Sequence, residues 1–464
     1  MITKIYVDGF KSLKEFELNF DHGLNILVGP NGAGKTNIVS FFEFIAHLMD
    51  TDASEATSRT GGAGAVFRRV GTTYERTITA RIYGCVPVEV RRTRREQKLG
   101  SEEEKPFCGY EYSFSLVFPE EADSVFFKTQ RLKLVRLDRF TKGEDLVKIE
   151  KWGLDLEARF QTDGTTEVTT NAFDDSLLEF PYYPRRVKAG GNNPDVPKPE
   201  EVIAEILESG TISLVPAISR YTPNLWAISR DLTGGQIYNV VPSKLKLPED
   251  SARAPGISRD GSGLAATLYA LQRSKNPPTL THIPYFYHHG RHQYDPSGMD
   301  QLKAYLGLVN STVEDILVEN DAFENLLRVR FKVHSGEYEA SLPLALMSDG
   351  TLKWLAVVTA AITAPSVFCI EEPENYLHPQ MQGQIVTILR EILFQDDSHR
   401  FTLMTTHSET LLNHCRPEEL IIVSMSGGHT RANRCSNAAD VSNEISRTGF
   451  GLGYYYVSDA LQND

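Results

Sequence analysis

The chain has 464 residues, of which 41% are hydrophobic and 23% charged, and its formal net charge is −13. The length and composition are typical of a globular protein with a substantial core and more than one structural unit. The negative net charge disfavours extensive nucleic-acid binding, although a local basic surface is compatible with it. Because the sequence shows no signal peptide, no apolar run of membrane-spanning length and no CxxC pair among its five cysteines, we expect a cytoplasmic protein with free thiols and no membrane contact.

A glycine-rich loop at residues 29–36 lies between a strand pattern and a helix pattern. Residues 4–7 and 15–20 predict two short strands, residues 24–28 a buried strand, and residues 37–49 an apolar helix. The loop fits the template G-x-x-x-x-G-K-[ST], in which backbone N–H groups cradle phosphates at the N-terminus of the following helix. Lys35 would reach the β- and γ-phosphates, and Thr36 would offer a hydroxyl to Mg²⁺. The predicted nucleotide-binding residues here are Asn31, Gly32, Ala33, Gly34, Lys35, Thr36 and Asn37.

Alternating apolar and polar residues follow at 77–83, 110–116 and 132–137. They predict an antiparallel sheet packed on the nucleotide-binding core. A basic cluster lies between the first two strands and consists of Arg91, Arg92, Arg94 and Arg95. We interpret it as a solvated strand end or loop, with contact to nucleic acid or to an acidic partner as the alternative.

The central part of the chain predicts helices broken by loops. The Gly- and Asn-rich residues 188–194 predict a linker or an exposed loop, and helices are expected at 200–208, at 264–273 and from about 301 to 318. No sustained heptad occurs, which argues against a long coiled-coil arm. His288, His289 and His292 invite a metal hypothesis, but no cysteine or paired carboxylate lies at ligand spacing, so a polar lid or interface loop is favoured.

From residue 339 the pattern alternates between strands and helices. Residues 352–363 and 380–394 predict helices, and residues 366–370, 401–406 and 420–423 predict strands. This alternation is typical of a mostly parallel sheet with helices on its faces.

Two adjacent carboxylates end the strand at 366–370. Glu371 is placed to hold Mg²⁺ through its water shell, and Glu372 to polarise an attacking water as general base. His407 follows the next predicted strand, where it can hydrogen-bond a γ-phosphate. Ser348, Asp349 and Gly350 precede a helix and form an anion-binding device that is weak by itself, since Ser-Asp-Gly is also an ordinary turn or cap.

Taken in order, these motifs resemble the ABC-type ATPase superfamily, and more narrowly the compact AAA-family ATPases related to RecF, SMC heads and OLD-family proteins. The resemblance implies Walker A at residues 29–36, the signature motif at 348–350, Walker B and the base at Glu371 and Glu372, a D-loop at 375–378 and a switch His407. It adds Lys11 and Ser12 as nucleotide contacts, and it makes Lys35, Glu372 and His407 the catalytic residues.

The chain departs from that pattern in two places. The signature reads Met-Ser-Asp-Gly-Thr rather than Leu-Ser-Gly-Gly-Gln, and the Q-loop has only Gln97 and Gln130 as candidates by position.

The implied fold is α/β, an ABC-type ATPase head with a mostly parallel sheet flanked by helices, an antiparallel β subdomain and a mixed, largely helical insertion. We expect residues 1–187 to form the N-terminal part of the head, 188–338 a lid-like insertion, and 339–464 the C-terminal part with the signature, Walker B, D-loop and switch histidine.

The resemblance also implies ATP and Mg²⁺ as cofactors and a homodimer or higher homo-oligomer that sandwiches ATP between heads. The compact form is similar to the ATPase subunits of anti-phage systems such as Septu and PARIS, which control a separate effector, often a nuclease. A RecF- or SMC-like ATPase acting on DNA is the alternative. A membrane-transporter subunit fits least, because the run at 371–379 and the long central insertion do not resemble transporter heads.

Overall fold

The computed structural model describes residues 1–87, 106–120, 123–161, 165–172, 199–207, 210–219, 223–274, 294–364, 366–395 and 399–458. The strands are, in chain order, β1 (Ile2–Asp8), β2 (Phe16–Asn19), β3 (Gly23–Val28), β4 (Arg69–Val70), β5 (Thr73–Tyr74), β6 (Thr77–Pro87), β7 (Phe107–Val117), β8 (Phe126–Leu137), β9 (Leu154–Phe160), β10 (Thr166–Ala172), β11 (Gln236–Tyr238), β12 (Glu249–Asp250), β13 (Val313–Asp321), β14 (Leu326–Ser335), β15 (Tyr338–Pro343), β16 (Val367–Glu371), β17 (Phe401–Thr405), β18 (Leu420–Ser426) and β19 (His429–Arg434).

The helices are, in chain order, α1 (Lys35–Asp50), α2 (Ala53–Arg59), α3 (Ala63–Val66), α4 (Gly143–Leu146), α5 (Pro199–Ile206), α6 (Leu214–Ser219), α7 (Pro223–Leu232), α8 (Pro242–Leu245), α9 (Leu264–Ser274), α10 (Gly298–Val309), α11 (Asp349–Thr363), α12 (Pro379–Phe394), α13 (Glu409–Leu412), α14 (Ala438–Thr448) and α15 (Leu452–Val457). In the described ranges, none of them combines the length and the apolar character that a membrane span requires.

A six-stranded sheet in the order β11-β16-β17-β3-β18-β19 forms the centre of the fold. Its strand pairs are parallel except for the β18–β19 pair at one edge. Every residue of β3, β16 and β17 is buried, which explains their continuous apolar runs in the sequence. Because the three strands are parallel neighbours, the loops that follow them emerge at one edge of the sheet, where open α/β sheets bind ligands.

An antiparallel sheet in the order β10-β9-β8-β7-β6-β1-β2 packs beside this centre. The expected antiparallel sheet is therefore present, and β1 and β2 extend it. Helix α1 joins the two parts of the fold, because the Phe10 ring, in the turn between β1 and β2, lies 5.5 Å from the Phe41 ring and 5.4 Å from the Phe44 ring. This packing fixes the helix that begins at the phosphate loop.

A third sheet contains β12, β14 and β13, with β15 paired to β14. The prediction of a helix to about residue 318 is wrong here, since α10 ends at Val309 and β13 begins at Val313. The side chain of Asn310 accepts hydrogen bonds from the backbone N–H and the hydroxyl of Thr312, a local turn that competes with helix continuation. The buried residues Ile316 and Val318 then alternate with the partly buried residues Asp315 and Leu317, as in a half-buried strand.

The three-part division of the chain stays a prediction, but the structure links its parts. Strand β11, within residues 188–338, pairs with β16 of the central sheet. Strand β15 begins at the predicted boundary and pairs with β14 of the preceding part. The described residues of the central part form helices α5 to α10 and also strands of two sheets, which agrees with the expected mixed, largely helical composition. The predicted linker at 188–194 lies outside the described residues.

Candidate active site

The phosphate loop joins β3 to α1. Its backbone has positive φ at Gly32 (81°) and at Gly34 (99°), a region that glycine enters readily. Gly34 also lies against Thr430, since a Cβ at Gly34 would be 1.9 Å from the Thr430 Oγ1 atom. Gly34 is the N-cap of α1 without a side-chain capping bond, so the first N–H groups of α1 are left for an anion.

Lys35 lies folded over the loop. Its Nζ atom donates hydrogen bonds to the carbonyl oxygens of Gly29 (2.8 Å) and Pro30 (3.1 Å) rather than to a carboxylate. The side chain is buried, and burial lowers the pKa of Lys35, with the charge of Glu372 opposing the shift. An anion held in this loop would supply the counter-charge that the ammonium group lacks.

Ser12 and Asn37 meet at the start of α1. The Asn37 amide donates to the Ser12 hydroxyl at 2.6 Å, and the Ser12 and Thr430 hydroxyls lie 2.6 Å apart. The structure thus places both predicted residues beside the loop and adds Thr430, which β19 carries. Lys11 has φ 47° and its backbone N–H bonds the Val66 carbonyl.

The other predicted loop residues differ in exposure. Asn31, Gly32 and Thr36 are exposed, whereas Ala33 is buried. The exposed set is open to a ligand, and Ala33 contributes packing beneath it.

Glu371 ends β16 and is buried. Its Oε2 atom accepts a hydrogen bond from the Arg259 guanidinium at 2.9 Å, and the same guanidinium lies 3.4 Å from both carboxylate oxygens of Glu43. Burial raises the pKa of Glu43, with Arg259 opposing the shift. Burial lowers the pKa of Lys11, whose ammonium group interacts with the same two carboxylates.

Glu372 turns away from Glu371, as expected for a residue with a separate role. Its backbone has φ 45°, its N–H bonds the Thr405 carbonyl at 3.0 Å, and its exposed carboxylate accepts from the Asn375 amide at 2.8 Å. Below it, the Lys353 Nζ atom donates to the Glu372 carbonyl oxygen at 3.0 Å. A positive φ is costly for a non-glycine residue. Here hydrogen bonds at both the N–H and the carbonyl oxygen of Glu372 hold the backbone in that conformation.

Glu374 joins the loop after β16 to the loop after β17. Its Oε1 atom accepts from the Thr406 hydroxyl at 3.0 Å and from the His407 N–H at 2.9 Å. The His407 side chain is exposed, so Glu374 fixes the backbone of the predicted switch histidine through the His407 N–H and leaves its ring open to a ligand. Ser408 follows as the N-cap of α13.

The signature residues begin α11. The Ser348 hydroxyl caps the helix by accepting from the Thr351 N–H, and Asp349 pairs with Lys246 at 2.6 Å. Gly350 packs against the predicted D-loop, because a Cβ there would lie 2.9 Å from the Tyr376 carbonyl oxygen. Among the described residues, no hydrogen bond or ion pair joins residues 348–350 to residues 29–36 of the same chain.

Gln130 does not act as a Q-loop residue. Its side chain is fully buried in the antiparallel sheet and bonds the Tyr112 hydroxyl, the Leu214 N–H and the Ile212 carbonyl. The other candidate, Gln97, lies outside the described residues, as do the basic cluster (Arg91, Arg92, Arg94 and Arg95) and the histidine cluster (His288, His289 and His292).

The described ranges contain no group of three or more His, Cys, Asp or Glu side chains arranged to hold a metal ion. A Mg²⁺ held by Thr36 and Glu371 therefore needs oxygen ligands from nucleotide and water, which is the usual way for this ion to bind.

Sequence reasoning missed several residues of the site, among them Thr430, Arg259 and Lys353. Thr430 and Arg259 contact it across 418 and 112 residues of sequence, and neither stands in a recognisable motif. Lys353 did leave a signal, since it is a lone charge within the apolar run of α11.

Two family models match the chain. Residues 1–81 match the family described as AAA ATPase domain, and residues 267–413 match the family described as AAA domain, putative AbiEii toxin, Type IV TA system. The first match contains the phosphate loop, and the second contains the signature residues, both carboxylates and His407. Arg259 lies in neither.

Short segments of curated proteins are similar to the chain. The DNA replication and repair protein RecF of Actinobacillus succinogenes is 36% identical over 56 residues, which are 12% of this chain and 16% of that protein. The Septu protein PtuA of Bacillus thuringiensis is 36% identical over 59 residues, 13% of this chain and 14% of PtuA. The chain thus matches only a small part of the length of these relatives. Among solved structures, an SMC head bound to the C-winged helix domain of ScpA aligns over 93% of this chain and 97% of that chain, with 11% identity and a TM-score of 0.44.

Proposed function

We propose that this chain binds and hydrolyses ATP as an ABC-type AAA ATPase of the RecF, SMC and OLD type, an interpretation that the family matches support. In this proposal, nucleotide-dependent assembly of its heads regulates a separate effector protein, a nuclease or toxin, in anti-phage defence. One observation carries the enzymatic part of the proposal. The loops after β3, β16 and β17 bring Lys35, the two carboxylates and His407 to one edge of the central sheet.

The loop fits the phosphates of a nucleotide. The N-terminus of α1 has no side-chain cap, and within the described ranges the Lys35 ammonium group donates only to carbonyl oxygens. Both features are satisfied by phosphate oxygens. Asn31, Gly32, Gly34 and Asn37 complete the binding residues on this side.

Glu372 is the proposed general base. Its carboxylate is exposed at the sheet edge, and the Asn375 amide orients it. Thr36 and Glu371 would hold Mg²⁺, which supplies charge neutralisation at the phosphates. Removal of the carboxylate in Glu372→Gln is expected to lower turnover by roughly 10²- to 10⁴-fold while leaving ATP binding intact.

The contacts of the predicted signature residues support the assembly part of the proposal. Within the described part of the chain, Ser348 and Gly350 contact their own helix and the predicted D-loop, and no hydrogen bond joins them to the phosphate loop of the same chain. This supports a composite site in which residues 348–350 of one protomer close on ATP held by another, so that binding drives association of the heads.

The defence role rests on the similarity to PtuA and to the family described as a putative AbiEii toxin. Its test is co-purification of Glu372→Gln with the products of neighbouring genes, with and without ATP, followed by a mass measurement. We expect an ATP-dependent homo-oligomer that carries an effector, and Lys35→Ala as the control should form neither. An ATP-bound Glu372→Gln protein with unchanged mass and no partner would exclude the assembly mechanism.

A RecF- or SMC-like role on DNA is the second candidate, and the RecF relatives favour it. Turnover stimulated by DNA, and lost when Arg91, Arg92, Arg94 and Arg95 are neutralised, supports this role over effector control. A rate that is independent of DNA supports the first.

A further inference from the structure

Arg259 lies where two acidic side chains meet beside the phosphate loop. Its guanidinium group donates to Glu371 at 2.9 Å and lies 3.4 Å from Glu43. The side chains of Glu371 and Glu43 are only 9% and 18% exposed, whereas that of Arg259 is 48% exposed. Two largely buried carboxylates therefore share this half-exposed guanidinium as their hydrogen-bonded counter-charge, and the Lys11 ammonium group adds a second positive charge near both.

The central segment of the chain holds Arg259 in this position. The Asn239 N–H bonds the Arg259 carbonyl at 2.8 Å, and the Val241 N–H bonds the Asp260 carbonyl at 2.9 Å. Both bonds tie the segment around Arg259 to the residues just after β11, the neighbour of β16 in the central sheet. Arg253 adds hydrogen bonds to the hydroxyls of Ser258 and Ser262. These bonds hold the backbone that carries Arg259 within residues 239–263, so the Arg259 side chain tethers this segment to Glu371 and Glu43.

Arg259 and a metal ion would compete for the same carboxylate. Glu371 is the proposed metal-facing carboxylate, and its Oε2 atom already has the guanidinium as partner. A guanidinium group presents fixed donors to a carboxylate, and a hydrated divalent cation would need the charge and the acceptor oxygens of the same carboxylate. Arg259 also has space to leave, because it lines an open cleft of about 550 Å³ with Asn239, Val241, Ser258, Asp260 and Ser262.

We propose that Arg259 is the counter-ion of the metal-free site and that it leaves Glu371 when Mg²⁺ and nucleotide bind, which couples the state of the site to residues 239–263. The inference rests on the proposed nucleotide site and adds to it a route from that site into the central segment. It concerns a residue outside both family matches.

The test is a Mg²⁺ titration of the binding of a fluorescent ATP analogue to the full chain. Arg259→Ala removes the competing cation, so the Mg²⁺ concentration at half-saturation is expected to fall about threefold to fivefold, the size of a half-exposed ion pair. Arg159→Ala is the matched control, because it removes a similarly exposed guanidinium from its ion pair with Glu157 on β9. The control should keep the wild-type midpoint.

Two further readouts separate this inference from simple loss of structure. In EDTA, Arg259→Ala should melt below the wild type, because Glu43 and Glu371 lose their shared guanidinium, and Mg²⁺ with nucleotide should raise its melting temperature more than that of the wild type. Hydrogen exchange of residues 239–263 should change on addition of Mg²⁺ and nucleotide in the wild type but not in Arg259→Ala.

The outcomes distinguish the inference from the proposed function. If the wild-type protein binds no nucleotide at any Mg²⁺ concentration, the proposed nucleotide site is wrong. If the wild type binds and Arg259→Ala has an unchanged or higher Mg²⁺ midpoint, the nucleotide site stands and the counter-ion role of Arg259 is overturned.

Discussion

At Gly34, two physical requirements coincide. The backbone has φ 99°, and a Cβ would lie 1.9 Å from the buried Thr430 Oγ1 atom. Gly32 has a similar φ of 81° but nothing within 4 Å of its Cβ position. Gly32→Ala should therefore lower the free energy of unfolding only by the cost of a left-handed conformation, about 1 kcal/mol. Gly34→Ala should lower the free energy of unfolding by at least about 1 kcal/mol more, because Thr430 has to move.

The measurement is chemical denaturation of the two nucleotide-free variants beside the wild type. Because both substitutions are the same, their difference isolates the contact with Thr430 from the backbone cost. An equal decrease in the free energy of unfolding for the two variants would show that Thr430 on β19 moves at little cost and does not constrain the loop.

Glu374 offers a test of how the switch histidine is held. Glu374→Ala removes the acceptor for the Thr406 hydroxyl and the His407 N–H, so the loop is expected to lose its fixed position. We expect kcat to fall about tenfold, the effect of a misplaced catalytic group, with little change in the KM for ATP. Glu374→Gln retains an oxygen acceptor and serves as the control, with most of the activity preserved. An equal loss in both variants would assign the effect to charge rather than to loop position.

The difference between predicted and missed site residues is one of sequence distance. Short sequence segments with a recognisable local pattern contain Lys35, Glu371, Glu372 and His407, and that pattern predicts their roles. The parallel order of three buried strands brings those segments together. Arg259 reaches Glu371 from a segment without a motif. A single arginine in a loop has no distinguishing pattern, so only the pairing of β11 with β16 reveals its position.

At the scale of elements, α11 carries a buried charge into the site. Lys353 is 1% exposed, its Nζ atom bonds the Glu372 carbonyl, and it lies 5.7 Å from the centre of the Tyr376 ring. Burial lowers the pKa of Lys353 to about 8, with the charges of Glu374 and Glu372 opposing the shift. The helix that begins with the signature is thereby bonded to the backbone of the proposed base.

This pKa predicts a pH dependence of stability. Below pH 8 the Lys353 ammonium group is charged in the folded and the unfolded state, and its burial cost is present in full. Between about 8 and the ordinary value of 10.5 the unfolded chain binds more protons, so the stability of the folded state rises with pH. Relative to Lys353→Met, the free energy of unfolding of the wild type should rise by up to about 2 kcal/mol between pH 7 and pH 9.5. The slope is roughly 1.4 kcal/mol per pH unit above the folded-state pKa.

Urea denaturation of both proteins at the two pH values provides the measurement. The comparison with Lys353→Met cancels the titration of other groups, since methionine keeps a similar volume without a charge. A gap between the two proteins that does not change with pH would mean that the amine titrates near its ordinary pKa when folded.

Among the elements, the central and antiparallel sheets were predictable and the third sheet was not. Continuous apolar runs identify β3, β16 and β17, and strict alternation identifies β6 to β8. The segment 301–318 contains apolar residues at spacings that suit a helix as well as a strand. The Asn310 side chain favours the strand by bonding Thr312, and β14 then pairs with β13 as the next strand of an antiparallel hairpin, beyond the segment that the helix pattern covers.

At the scale of the whole molecule, the composite site makes a prediction about mixtures of two inactive variants. Lys35→Ala removes the phosphate-loop lysine, and Ser348→Arg blocks the signature loop at an exposed position. Each homodimer then has a defect in both of its sites. In a mixed dimer one site combines the intact Lys35 of one protomer with the intact Ser348 of its partner, while the other site carries both defects. An equimolar mixture should therefore recover ATPase activity that neither variant shows alone. Random pairing, in which half of the dimers are mixed and each has one intact site, sets the upper value at about a quarter of the wild-type rate.

The same mixture distinguishes a site built between protomers from a site within one chain. If Ser348 acted on the phosphate loop of its own protomer, every site in the mixture would retain one defect, and the rate would stay at the average of the two variants alone. Ser348→Arg must still bind ATP, which an equilibrium binding measurement checks, since it keeps Lys35, Thr36 and Glu371. Recovery of activity only when ATP is present during mixing would further show that nucleotide joins the heads, because in such a dimer the bound ATP is itself part of the interface.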